Sequence, residues 1–175
     1  MTAATSLLLF GATGDLSRRM LIPSLFGLHG DGLLHPDLRI IGTARSKLDS
    51  GSFRELAAKA LEQHLEADRR PAAMVASFLD RLAYVPLDAT RTEGFAALAA
   101  EVGDPCRLAI FLSTAPSLFG STIAGLSGAG LACDGARLAL EKPLGHDLAS
   151  SRAINDAVAA AYPESQIFRI DHYLG

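Results

Sequence analysis

The chain has 175 residues, roughly half of them apolar, which is enough for one sizeable core and too few for two ordinary domains. Its formal net charge of −3 is carried by interspersed signs without long basic or acidic blocks, so small molecules or proteins are the expected partners, with no nucleic acid and no membrane. The apolar run 7–10 lacks a basic leader and is far too short for a signal core or a span. Cys106 and Cys133 show no metal or redox spacing and give no disulfide framework, so a cytoplasmic location is the simplest expectation.

In chain order, short apolar runs bounded by turn or polar residues predict strands at 6–10, 39–44, 82–87, 107–112, 136–140 and 166–170. Helices are expected between them. The first covers 23–28, with Pro23 marking either its start or a break near its first turn. Ser52 followed by Glu55 has the pattern of a capping box ahead of Leu56 and Ala60, and a helix at 72–79 follows. Thr92, Phe95, Leu98 and Val102 form a helical stripe, and the last helices fall at 118–126 and 150–160. Because the strands are nearly continuous in apolar residues, they suit a mainly parallel sheet covered on both faces. The expectation is a single doubly wound α/β domain over 1–175, with a flavodoxin-like arrangement as the alternative.

Directly after the first strand come Gly11, Ala12, Thr13, Gly14, Asp15, Leu16 and Ser17, where a doubly wound sheet binds ligands. Gly11 permits a tight turn. Gly14 leaves room for a pyrophosphate to approach backbone, and the N–H groups of the following helix can donate to it. The spacing is Gly-x-x-Gly with Ser17 at the third glycine position, which a simple tight turn would also satisfy. No glycine-rich segment ends in Gly-Lys-Ser or Gly-Lys-Thr, which disfavours a P-loop.

The second strand runs out into Gly42-Thr43-Ala44-Arg45-Ser46-Lys47, without the acidic residue that accepts ribose hydroxyls in NAD sites. Arg45 can clamp a 2′-phosphate, Ser46 can add a hydroxyl donor, and Lys47 adds positive charge. NADP is the expected cofactor; a solvated basic turn is the alternative.

The segments at 10–16, 41–45, 141–145 and 169–175 together resemble the glucose-6-phosphate dehydrogenase family in order and spacing, Arg169-Ile170-Asp171-His172-Tyr173-Leu174-Gly175 being the most specific. The resemblance covers the whole chain and implies a Rossmann-like NADP-binding domain. By that resemblance NADP is held by the glycine turn through Arg18 and by Arg45, Lys142 contacts both cofactor and sugar, and His172 and Tyr173 bind the phosphate of glucose 6-phosphate. Asp171 then orients a catalytic histidine contributed much later in the family's chain, so the base, the α+β substrate and dimerisation domain, and the homo-oligomer interface are expected outside this chain. Taken alone, Lys142 reads as a surface lysine, and Asp171 with His172 as an exposed polar pair. Phe119 matches an aromatic position lining the cofactor, although a core phenylalanine fits equally. Met20 stands where the family commonly has lysine, a departure that removes a charge from the substrate site. The implied reaction is oxidation of glucose 6-phosphate at C1 to the 6-phosphoglucono lactone with NADPH formation. A free-standing NADP-binding module and an inactive remnant are the alternatives.

Overall fold

A computed structural model describes residues 3–141, 145 and 147–171. Six strands, β1 (Ser6–Phe10), β2 (Arg39–Ala44), β3 (Leu82–Pro86), β4 (Leu108–Leu112), β5 (Arg137–Glu141) and β6 (Ile167–Ile170), form one sheet in the order β3-β2-β1-β4-β5-β6. Every neighbouring pair is parallel. The helices between them are α1 (Ile22–Gly30), α2 (Ser50–His64), α3 (Ala72–Leu79), α4 (Phe95–Val102), α5 (Phe119–Gly128) and α6 (Leu148–Ala161).

Parallel strands need crossovers, and right-handed crossovers put the helices on opposite faces once the strand order reverses at β1. The cores show this division. Leu8, Phe10, Ile110 and Leu112 pack with Leu98, Ile123 and Val158 of α4, α5 and α6. Leu9 and Ile40 pack on the other side with Phe26, Phe53 and Phe78 of α1, α2 and α3. With both faces covered, each strand needs apolar side chains in both directions, which accounts for its unbroken hydrophobic run.

Two local features differ from expectation, and a third decides between two readings. Asp49, not Ser52, caps α2: its carboxylate accepts from the Ser52 N–H at 2.7 Å. Helix α6 starts earlier than expected, at a reciprocal capping box in which Asp147 accepts from the Ser150 N–H and Ser150 answers to the Asp147 N–H. Pro23 marks the start of α1 and breaks nothing. It lies just after a single π-helical turn, Ser17–Leu21, whose widened hydrogen bond from the Ile22 N–H to the Ser17 carbonyl precedes the residue that has no N–H to give.

The cysteine reading also needs correction. Cys106 and Cys133 form a disulfide, with Cα atoms 5.2 Å apart and 27 residues of separation. Because β4 and β5 are neighbours, the segments leading into their amino ends meet, a proximity that linear spacing does not reveal.

Candidate functional site

The order of the sheet reverses between β1 and β4, which opens a crevice at the carboxyl ends of these strands. Gly11 stands at that point with φ +75°, a left-handed conformation that favours glycine. A Cβ there would lie 2.7 Å from the Ser113 carbonyl oxygen, so the turn fits against the end of β4 only without a side chain. Ser113 fastens the junction by donating its hydroxyl to the Phe10 carbonyl.

The amides of this turn divide into two sets. Those of Gly11 and Ala12 donate to the Thr43 carbonyl at 2.9 and 3.2 Å, and that of Gly14 donates to Gly11 at 2.8 Å. They hold the turn's shape and tie it to β2. The amides of Thr13, Asp15 and Leu16 have no backbone acceptor among the described hydrogen bonds, and they stand at the start of the helical run, where N–H groups await an anion. Ala12 and Ser17 are fully buried, so their side chains face the interior; the Ser17 hydroxyl has no hydrogen-bond partner among the described residues. Arg18 is exposed and lines a cleft against α2 together with Lys59 and Gln63.

Arg45, Ser46 and Lys47 follow β2 as an exposed segment, and the Ser46 hydroxyl lies 3.2 Å from that of Thr13, joining this corner to the glycine turn. A groove of about 780 Å3 opens beside it, lined by Arg45, Lys47, Ser52, Asp88 and Arg91 among others. The last two come from the segment after β3, which sequence reading did not assign to the site; the signal was the strand order, since β3 lies next to β2. Asp88 is a carboxylate in a corner that the sequence presented as free of them. Its acceptor oxygen is engaged by the Thr90 hydroxyl at 2.7 Å and the Thr90 N–H at 3.0 Å. Those bonds, and then the nearby guanidinium groups of Arg45 and Arg91, hold the Asp88 carboxyl below its ordinary pKa.

Glu141 at the end of β5 pairs in register with Ile170 at the end of β6. The residues just before Lys142 and just before Asp171 are therefore brought together. Asp171 is half-buried; Lys142, His172 and Tyr173 lie outside the described residues. Phe119, at the start of α5, is wholly buried in the core with Ile123 and Leu126, in keeping with the core alternative for that residue. Met20 is half exposed on the π turn. Among the described residues no helix is long and apolar enough to cross a membrane.

A parallel sheet reversing at β1, with a glycine turn and helix start at the reversal, defines a doubly wound nucleotide-binding domain. The sequence profile of the family described as glucose-6-phosphate dehydrogenase, NAD binding domain, matches residues 8–175, and the chain belongs to that family. A glucose-6-phosphate 1-dehydrogenase of Zymomonas mobilis is 54% identical over 98% of this chain and 36% of its own length. One from Mycolicibacterium smegmatis is 41% identical over 95% of this chain and 35% of its own. The crystal structure of the Mycobacterium avium enzyme superposes with a TM-score of 0.87 at 34% identity, over 99% of this chain and 37% of that one. A glucose-6-phosphate dehydrogenase in complex with its substrate glucose 6-phosphate gives 0.84 at 32% identity, over 98% and 37%. The chain thus spans about a third of the length of these relatives.

Proposed function

We propose that residues 1–175 are the NADP-binding domain of a glucose-6-phosphate dehydrogenase, and that the protein carrying this chain oxidises glucose 6-phosphate at C1 to the 6-phosphoglucono lactone. The observation that carries the cofactor choice is the groove beside the glycine turn, where Arg45, Lys47 and Arg91 gather around the space next to Ser46. Arg45, Lys47 and Arg91, the last paired with Glu93, face two carboxylates there, Asp49 and Asp88, and both of these are already hydrogen-bonded within the chain. Such a surface suits a dianionic 2′-phosphate better than a bare ribose hydroxyl.

NADP, when bound, supplies the hydride acceptor. The chain's residues supply orientation. The Thr13, Asp15 and Leu16 amides receive the pyrophosphate, and Arg45 with Ser46 receives the 2′-phosphate. Lys142, His172 and Tyr173 take the sugar phosphate and the cofactor's reacting end, and Asp171 orients a histidine base; these last roles rest on the Glu-Lys-Pro and Arg-Ile-Asp-His-Tyr-Leu-Gly motifs. The substrate is supported by the named activity of the relatives and by the related structure that holds glucose 6-phosphate.

Calorimetric titration of the chain tests the cofactor assignment. A 2′-phosphate contact with a net contribution of about 1.5–3 kcal/mol gives roughly ten- to hundredfold tighter binding of NADP than of NAD. Arg45→Ala is expected to remove most of that difference while leaving NAD affinity in place. Equal affinities in the wild type would refute the NADP assignment. For the activity, NADPH absorbance with glucose 6-phosphate in the protein carrying this chain is the assay, and no Lys142-dependent signal would count against it.

A further inference from the structure

The segment that carries Arg45, Ser46 and Lys47 is five residues long, from the end of β2 to the start of α2, and its three recognition side chains are exposed. Exposed arginine and lysine side chains lose considerable rotamer freedom when they clamp a ligand, so the backbone beneath them must be held if they are to discriminate. One buried side chain holds it. Tyr84, on β3, is only 6% exposed. Its hydroxyl lies 2.8 Å from the Ser46 carbonyl and 3.1 Å from the Ala44 carbonyl, the two peptide oxygens on either side of Arg45. Its own backbone N–H donates to the Ser50 hydroxyl at 3.0 Å, at the other end of the segment.

The remaining contacts of those carbonyls show which bond matters most. The Ala44 oxygen also accepts from the Leu87 N–H at 2.9 Å at the end of β3, whereas among the described residues the Ser46 oxygen is otherwise bonded only to the Leu48 N–H, inside the same loop. The phenol has a single proton to give, and the shorter contact goes to Ser46. Tyr84 is thus the link from Ser46 to the sheet. The ring is itself fixed: it packs on Phe53 with centroids 5.1 Å apart, and Phe53 fills the slot left by Gly42, the residue opposite Tyr84 across the ladder. Burial raises the pKa of the phenol, so it remains a donor at neutral pH.

We propose that Tyr84 is the positioning residue for cofactor selectivity, holding the peptide units around Arg45 so that Arg45 and Ser46 meet the 2′-phosphate of NADP. This rests on the NADP reading above. Tyr84 has no place in the pyrophosphate cradle, so its hydroxyl should act on NADP and not on NAD.

The test is titration of wild type and Tyr84→Phe with NADP and with NAD, alongside thermal unfolding. Loss of one such hydrogen bond should weaken NADP binding about five- to tenfold, with NAD affinity within about twofold of wild type. A merely structural role would lower the unfolding temperature and weaken both ligands together. A wild-type preference for NADP that Tyr84→Phe retains in full, whether both affinities hold or fall in parallel, overturns this inference alone. Equal wild-type affinities would overturn the NADP reading, and this inference with it.

Discussion

Gly11→Ala is the substitution on which the structure makes the firmest quantitative statement. Gly11 has φ +75°, and an alanine held there costs about 1–2 kcal/mol from contact between Cβ and its own backbone. The added methyl would also lie 2.7 Å from the Ser113 carbonyl oxygen and 3.0 Å from its hydroxyl, and the obstructing carbonyl belongs to the end of β4, not to the tip of a flexible side chain. Overpacking of this kind costs about 1–3 kcal/mol, for a total of about 2–5 kcal/mol. In a domain of this size each kcal/mol shifts the unfolding midpoint by about 2–4 °C, so a fall of about 4–20 °C is expected in a calorimetric scan. Relief of the clash would move the turn off β4 and strain its bonds to the Thr43 carbonyl, so NADP and NAD should both bind more weakly. A variant that unfolds at the wild-type temperature with wild-type affinities would refute the argument that the junction of β1, β2 and β4 sets the turn.

The other glycine of the turn should behave differently. A Cβ at Gly14 would lie 3.0 Å from the Gly11 carbonyl, which must give by a few tenths of an ångström, so Gly14→Val should lose less stability than Gly11→Ala while calorimetry shows both dinucleotides weakened together. Cys106→Ser opens a link across 27 residues and should cost about 2–4 kcal/mol of stability by denaturant titration, with dinucleotide affinity unchanged because the link lies at the amino ends of the strands, away from the crevice. Tyr162 is fully buried and its hydroxyl has no hydrogen-bond partner among the described residues, so Tyr162→Phe should be neutral or stabilising by about 1 kcal/mol in thermal unfolding.

The strands were legible because both faces of a parallel sheet are covered, which writes each strand as an uninterrupted apolar run such as Leu7-Leu8-Leu9-Phe10. The start of α2 was misread for an equally physical reason. Asp49 and Ser52 both suit a capping position, and the first to leave extended backbone takes it: Asp49, at φ −95° and ψ 175°, accepts from Ser52. The disulfide was not legible because its two cysteines are brought together only by the pairing of β4 with β5. Phe119 follows the same logic. Its position in a family pattern placed it near cofactor, but as the first residue of α5 it points into the core shared with Leu126 and Leu131.

At the cofactor corner the sequence displayed half of the groove. Arg45, Ser46 and Lys47 lie on one continuous segment and could be recognised by their chemistry, whereas Tyr84, Asp88 and Arg91 come from the next strand and the residues after it. Only the parallel register of β2 with β3, which sets Ala44 beside Pro86, brings the two segments to the same end of the sheet. This changes what the missing acidic residue means. Two carboxylates line the groove, but Asp49, after β2, is spent on capping α2 through the Ser52 N–H, and Asp88 stands after β3, turned to Thr90 and facing Arg45. The Arg45 guanidinium lies near enough to contribute to holding the Asp88 carboxyl below its ordinary pKa. On the proposed NADP reading, a 2′-phosphate entering the groove would bring a larger negative charge to the same guanidinium, so a protein carboxylate and a ligand phosphate would compete for Arg45 on a backbone that Tyr84 holds.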